Sequence, residues 1–140
     1  MFEPTPYAKL NSRQKENYNF HKVAAALADF GYTSIRLSDD FNGADFIALH
    51  IDGKKLLRVQ LKGRLTFHKK YYQKGLHIAF RVGKHIYVYD HDELRKRFKD
   101  AGFVPESSPP AWLVDGSRSW TNIPAKMQSI LDDYKLETVE

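Results

Sequence analysis

The chain has 140 residues, 42% of them hydrophobic and 14% aromatic, and its 22 Lys and Arg outweigh 17 Asp and Glu for a net charge of +5. That length and composition predict one folded domain with a sizeable core and exclude a disordered or fibrous chain. No cysteine occurs, which excludes disulfides and thiolate metal sites, and no apolar run nears the roughly 18 residues of a membrane span, so a soluble, cytoplasmic protein without a membrane partner is expected.

In chain order, Asn11 with Gln14 forms a capping pattern that opens a helix predicted over residues 12–30, with Phe20, Val23, Leu27 and Phe30 at helical spacing and Gly31 as its stop. A strand is expected at about 33–37, carrying Ile35 and Leu37. The stretch GADFIALHIDGKKLLRVQLKGR, residues 43–64, then places two apolar runs around Asp52-Gly53, a strong hairpin signal because both residues tolerate positive φ. If these two form the loop, Ile51 faces Lys54, Leu49 faces Leu56 and Asp45 faces Gln60. Lys62 lies one diagonal step away on the same face, since side chains alternate with a period of two. A carboxylate, an amide and an ammonium are thereby predicted at one end of a hairpin.

Between Gly53 and Tyr89 there is no acidic residue. Within this basic segment a loop or short helix is expected, where Phe67, Tyr71 and Tyr72 interleave with His68, Lys69 and Lys70. Such a pattern suits phosphate contact with base or sugar packing, and it marks Arg64, His68, Lys69, Lys70, Tyr71 and Lys74 as candidate nucleic-acid contacts. LHIAFRV and HIYVYD alternate around Gly83-Lys84 as a second hairpin, and Asp90 with Glu93 reads as a capping box for a helix ending near Gly102. PESSPP reads as a surface connection. A last helix is expected from about Pro124 to Lys135, with Met127, Ile130, Leu131 and Tyr134 buried. Trp112 and Trp120 are expected as core or interface anchors, with Trp120 close enough to Arg118 to touch nucleic acid.

The order helix, strand, hairpin, strand, strand, helix, with Asp45 opening the second strand and Gln60-x-Lys62 closing the third, resembles the PD-(D/E)XK nuclease superfamily. The resemblance covers residues 12 to about 90 and is nearest to members with Gln in the last motif. It implies an α/β, restriction-endonuclease-like core: a central mixed sheet of about four to five strands flanked by helices. A single domain over residues 1–140 follows, with a core at about 12–102 and a C-terminal helical extension at about 111–136. The implied activity is divalent-metal-dependent endonucleolytic hydrolysis of DNA. In that family the first Asp binds the metal, the next acidic or Gln residue supplies a second oxygen ligand, and the Lys orients or activates the attacking water. By position these are Asp45, Gln60 and Lys62. Glu16, one turn upstream of the usual position, is the nearest match to a glutamate that often completes the site from the first helix.

Ala44 stands where the family name has Pro, which is not a ligand. Gln60 brings one fewer negative charge to Mg²⁺ or Mn²⁺, and Asp39 or Asp40 is placed to restore it. Related folds often form homodimers to cut both strands. Two alternatives stand beside the enzyme: a non-catalytic nucleic-acid-binding domain that keeps the fold, with Gln60 as its clue, and an interaction module of a repair or defence complex. Taken singly, Asp45 also fits a strand cap, Gln60 a partner for a backbone group, and Lys62 a snorkelling edge residue.

Overall fold

A computed structural model describes residues 1–103 and 116–137, apart from the side chain of Asp40. Helix α1, Ser12–Ala28, opens as expected: Gln14 N donates to Asn11 Oδ1 at 2.8 Å and Asn11 N donates to Gln14 Oε1 at 2.9 Å. It buries Phe20, Val23 and Leu27. The helix ends at Ala28, so Phe30 lies past its last turn, leaves the helical period and is 40% exposed instead of completing the stripe. The chain then turns through Gly31 at φ +86°, where a Cβ would approach His50 Nε2 to 2.9 Å.

Strands β1 (Tyr32–Phe41), β2 (Ala44–His50) and β3 (Leu56–Leu61) follow as antiparallel neighbours. The predicted register of the central hairpin is observed, with Leu49 opposite Leu56 and Phe46 opposite Val59. Its turn is wider than predicted, and Ile51 is not paired with Lys54. Asp52 Oδ1 accepts from Lys54 N at 2.8 Å and Lys55 N at 2.9 Å, so a side chain satisfies amides in the turn and pairing resumes where His50 N donates to Lys55 O. The same two bonds hold the Asp52 carboxyl below its ordinary value.

Residues 65–68, expected in a loop or short helix, form strand β4 (Leu65–His68), and a 3-10 turn follows at Lys69–Tyr71. β4 pairs with β7 (Ser117–Trp120), and Tyr89 fastens it to the main sheet by donating to Thr66 O at 2.7 Å and accepting from Thr66 N at 3.1 Å. Burial pushes the Tyr89 phenol far up from its ordinary value, which keeps it a neutral donor. β3 runs parallel to β5 (Leu76–Val82), and β5 forms the predicted hairpin with β6 (His85–Asp90). The result is a five-stranded mixed sheet in the order β1-β2-β3-β5-β6.

Two apolar layers sandwich this sheet. On one face α1 packs over Phe46, Ala48, Val59, Ala79 and Ile86. On the other, Ile78, Phe80, Tyr87 and Tyr89 meet β4, helix α2 (His91–Asp100) and helix α3 (Ala125–Leu131) through Phe67, Leu94, Phe98, Met127 and Leu131. Asp90 caps α2 by accepting from Glu93 N at 3.0 Å. α3 is shorter than predicted because a 3-10 turn at Asp132–Tyr134 takes over its last residues, and Ile130 and Tyr134 are only half-buried against the core. Trp120 acts as the expected anchor, 5.8 Å from the Phe67 ring. The PESSPP connection and Trp112 lie outside the described residues. The second layer stops short of β1–β3: Ile35, Leu49 and Leu56, which strand pairing puts on one face, remain 39–50% exposed. Among the described residues no helix is long and apolar enough to cross a membrane.

Candidate cation site and basic groove

The candidate site lies where that layer ends. Gly43, at φ +91°, reverses the chain into β2 so tightly that a Cβ there would come within 2.8 Å of Leu76 Cδ1 and 3.2 Å of Tyr71 Cδ1. Only glycine takes that backbone without strain and leaves that room, and the consequence is that Asp45 emerges directly beside β3. Leu61 N donates to Asp45 Oδ2 at 2.9 Å, which fixes the carboxylate across the strand pair. Gln60 Nε2 donates to Leu61 O at 3.1 Å, leaving Oε1 as the end of the amide a cation would take. Lys62 N donates to Ala79 O at 2.9 Å, continuing the β3–β5 pairing past the end of the strand.

Asp45, Gln60 and Lys62 line one cavity of about 360 Å³ together with Glu16, Arg36 and Asp39. They also line a second, of about 390 Å³, with Asn42, Lys70, Tyr71 and Lys74. The three residues are therefore a wall common to both chambers. α1 brings Glu16, an exposed residue, to the first chamber, where β1 contributes Asp39. Arg36 is held there by a hydrogen bond to Asn17 Oδ1 and by stacking 5.2 Å from the Phe20 ring. The side chain of Asp40 lies outside the described residues.

The basic stretch divides differently from the expectation. Lys69, Lys70 and Lys74 are exposed, and the last two border the second chamber. Phe67 and Tyr71 are each 2% exposed, so neither ring is available to a base or sugar. Tyr71 serves from below: the ammonium groups of Lys62 and Lys70 stand 5.3 Å and 5.2 Å from its ring centroid, held by the negative π-face. Arg64 is exposed but donates to Thr121 Oγ1 at 3.0 Å and borders neither chamber. His68 accepts from Lys70 N through Nδ1 at 3.1 Å and so caps the 3-10 turn. Its imidazole is held below its ordinary pKa by burial first and then by Lys70, Lys62 and Lys69.

A support that the sequence does not signal is His91, fully buried at the start of α2. Its Nε2 accepts from His68 N at 3.1 Å while Nδ1 lies 2.7 Å from Asp92 Oδ1, and Asp92 Oδ2 accepts from Gln73 N at 2.8 Å. One His-Asp pair thus ties both ends of the 68–73 loop to a helix terminus and steadies the cations the loop carries. In sequence His91 is only the residue after a helix cap, so nothing distinguished it.

The donors at the site are a carboxylate and an amide oxygen, with Glu16 and Asp39 on the chamber wall and no imidazole or thiolate among the chamber-lining residues. Among the described residues no three His, Cys, Asp or Glu side chains converge into a metal-binding group. A closed structural metal site is thus unsuited to this geometry. A hard ion that keeps several waters and takes one or two protein oxygens together with substrate phosphate fits it, which is the usual manner of Mg²⁺. No family model matches the chain, and neither the curated proteins nor the solved structures contain a match to it.

Proposed function

We propose that the protein is a divalent-metal-dependent endonuclease that hydrolyses phosphodiester bonds in DNA. The observation that carries this reading is that Asp45, Gln60 and Lys62, predicted as a set from motif and register, share both chambers, one bordered by acids and the other by Lys70 and Lys74. On this reading Asp45 and Gln60 hold Mg²⁺ or Mn²⁺. When bound, such an ion neutralises charge building on phosphoryl oxygens and lowers the pKa of a coordinated water. Lys62, steadied over Tyr71, donates to the reacting phosphate or to the attacking water. Lys70 and Lys74 seat the flanking phosphates. Water adds to phosphorus, the P–O bond to the departing sugar oxygen breaks, and the water's protons pass to that oxygen and to solvent. In a homodimer, the exposed face at Ile35, Leu49 and Leu56 is the apolar surface a second copy would cover.

A second reading, a nucleic-acid-binding domain without turnover, is favoured by the amide at Gln60 and by the lack of a three-acid group among the described residues. The two separate on incubation of plasmid and branched DNA with Mg²⁺ or Mn²⁺ against an EDTA control. The nuclease reading expects cleavage by the wild type with the ion alone, none by Lys62→Ala, and DNA binding largely kept by that variant, because one phosphate contact among several is a small loss. Binding by the wild type with no cleavage under either ion leaves the binding domain.

A further inference from the structure

Beside Lys62 the N-terminal arm builds a further cationic chamber. Arg81, from β5, stands with its guanidinium carbon 5.0 Å from the ring centroids of both Tyr7 and Tyr18. Its Nε donates to Asn19 Oδ1 at 3.0 Å and its Nη1 to Gly83 O at 2.7 Å, while Asn19 Nδ2 donates to the Tyr7 hydroxyl at 2.9 Å. Lys15 and Lys22 lie 5.3 Å from the Tyr7 and Tyr18 rings. The cavity here, about 380 Å³, is lined by Tyr7, Asn19, Lys62, Gly63, Arg81 and Gly83, and no acidic residue borders it. An adjoining cavity of about 320 Å³ joins Lys15 to Lys62 and is bordered by Glu16 as well.

Arg81 alone suffices to clasp the arm to α1 through the two tyrosines. Lys15 reinforces that clasp from α1 at Tyr7, whereas Lys22 stacks on Tyr18 of its own helix and adds nothing to it. Among the described residues none of Arg81, Lys15 and Lys22 forms an ion pair with a carboxylate, which leaves their charge open to an outside anion. Lys62 is the hinge of the arrangement, since it lines this chamber as well as both chambers of the candidate site.

We infer that the Tyr7–Arg81–Tyr18 stack, with Lys15 and Lys22, is a subsite for a phosphate flanking the one at Lys62, with the half-exposed Tyr7 ring packing against the attached sugar or base. A single nucleic-acid strand then runs from Lys70 and Lys74, across Asp45, Gln60 and Lys62, to the arm. The inference rests on nucleic acid being the partner of the site and is independent of turnover.

The test is fluorescence anisotropy of a labelled single-stranded DNA oligonucleotide in EDTA across a salt series. Lys15→Gln with Lys22→Gln is compared with Lys54→Gln and Lys55→Gln at the far turn of the β2–β3 hairpin. The subsite predicts about a tenfold loss of affinity at low salt for the first pair and a log-log salt slope shallower by roughly 0.7, the value for one single-strand phosphate contact, with neither change in the second pair. Equal effects of the two pairs, no effect of the first, or no oligonucleotide binding by the wild type overturns it. If the wild type binds with these differences and yet cleaves nothing with Mg²⁺ or Mn²⁺, the nuclease reading fails and the strand path stands.

Discussion

Phe67 and Tyr71 show how one residue type does two jobs in a basic stretch. Both belong to an alternation of rings and cations that, in sequence, looks like a surface for nucleic acid. The structure buries both rings and leaves the cations outside, so Tyr71 holds Lys62 and Lys70 from beneath while Phe67 serves the core. Phe67 packs edge-on against Tyr89, Phe98 and Trp120 at 5.8 Å each. Phe67→Ala is therefore expected to cost about 3–5 kcal/mol of folding stability, the range for opening a cavity at a large buried ring. Chemical denaturation measures this. A change below about 0.5 kcal/mol, the level at which surface substitutions fall, would put the ring back on the surface. Asp45 and Gln60 were legible at this scale because alternation and a turn signal are local: the register that brings them together follows from Asp52-Gly53. The turn itself came out wider because the Asp52 carboxylate competes for the amides, and side-chain hydrogen bonds of that kind leave register untouched.

Among the elements, the β4–β7 pair is what sequence does not show. β4 is a four-residue strand whose partner, β7, lies far along the chain, and its burial depends on α2 and on Tyr89 as much as on its own residues. α1 and the two hairpins, by contrast, are set by caps, turns and periodicity within each segment, which is why their positions were predicted closely and only their ends moved. The loop after β4 is held by His91, whose imidazole sits below its ordinary pKa because burial outweighs the opposing pull of Asp92. The folded protein thus takes up a proton on His91 less readily than the unfolded chain. Its contribution to stability is complete above the ordinary value of 6.5 and is lost as pH falls below it. His77, also held low by burial, acts with the same sign. Denaturation midpoints measured across this range are expected to fall with pH, and less steeply in His91→Gln, which has no imidazole to protonate. An unchanged steepness in that variant would mean that His91 is not kept neutral by the fold.

For the whole molecule the decisive feature is a mismatch of layers. A five-stranded sheet is covered by α1 on one face and by a partial layer on the other, and Asp45 and Gln60 come to the surface where the partial layer stops. Positive charge gathers around that line at Lys70 and Lys74 and at Arg81 and Lys15, while Glu16 and Asp39 bring negative charge to the chamber that Asp45 and Gln60 line. In the proposed reading the Asp45–Gln60 pair is a cation site, and thermal unfolding with and without Mn²⁺ tests it most directly. An ion that binds only the folded state raises the midpoint according to its affinity. Gln60→Glu exchanges a neutral oxygen for a charged one and is expected to gain more from Mn²⁺ than the wild type gains, while Asp45→Asn gains less. If Gln60→Glu instead loses stability, as a half-buried carboxylate without a counter-ion does, and all three proteins respond equally to Mn²⁺, the pair does not hold a cation.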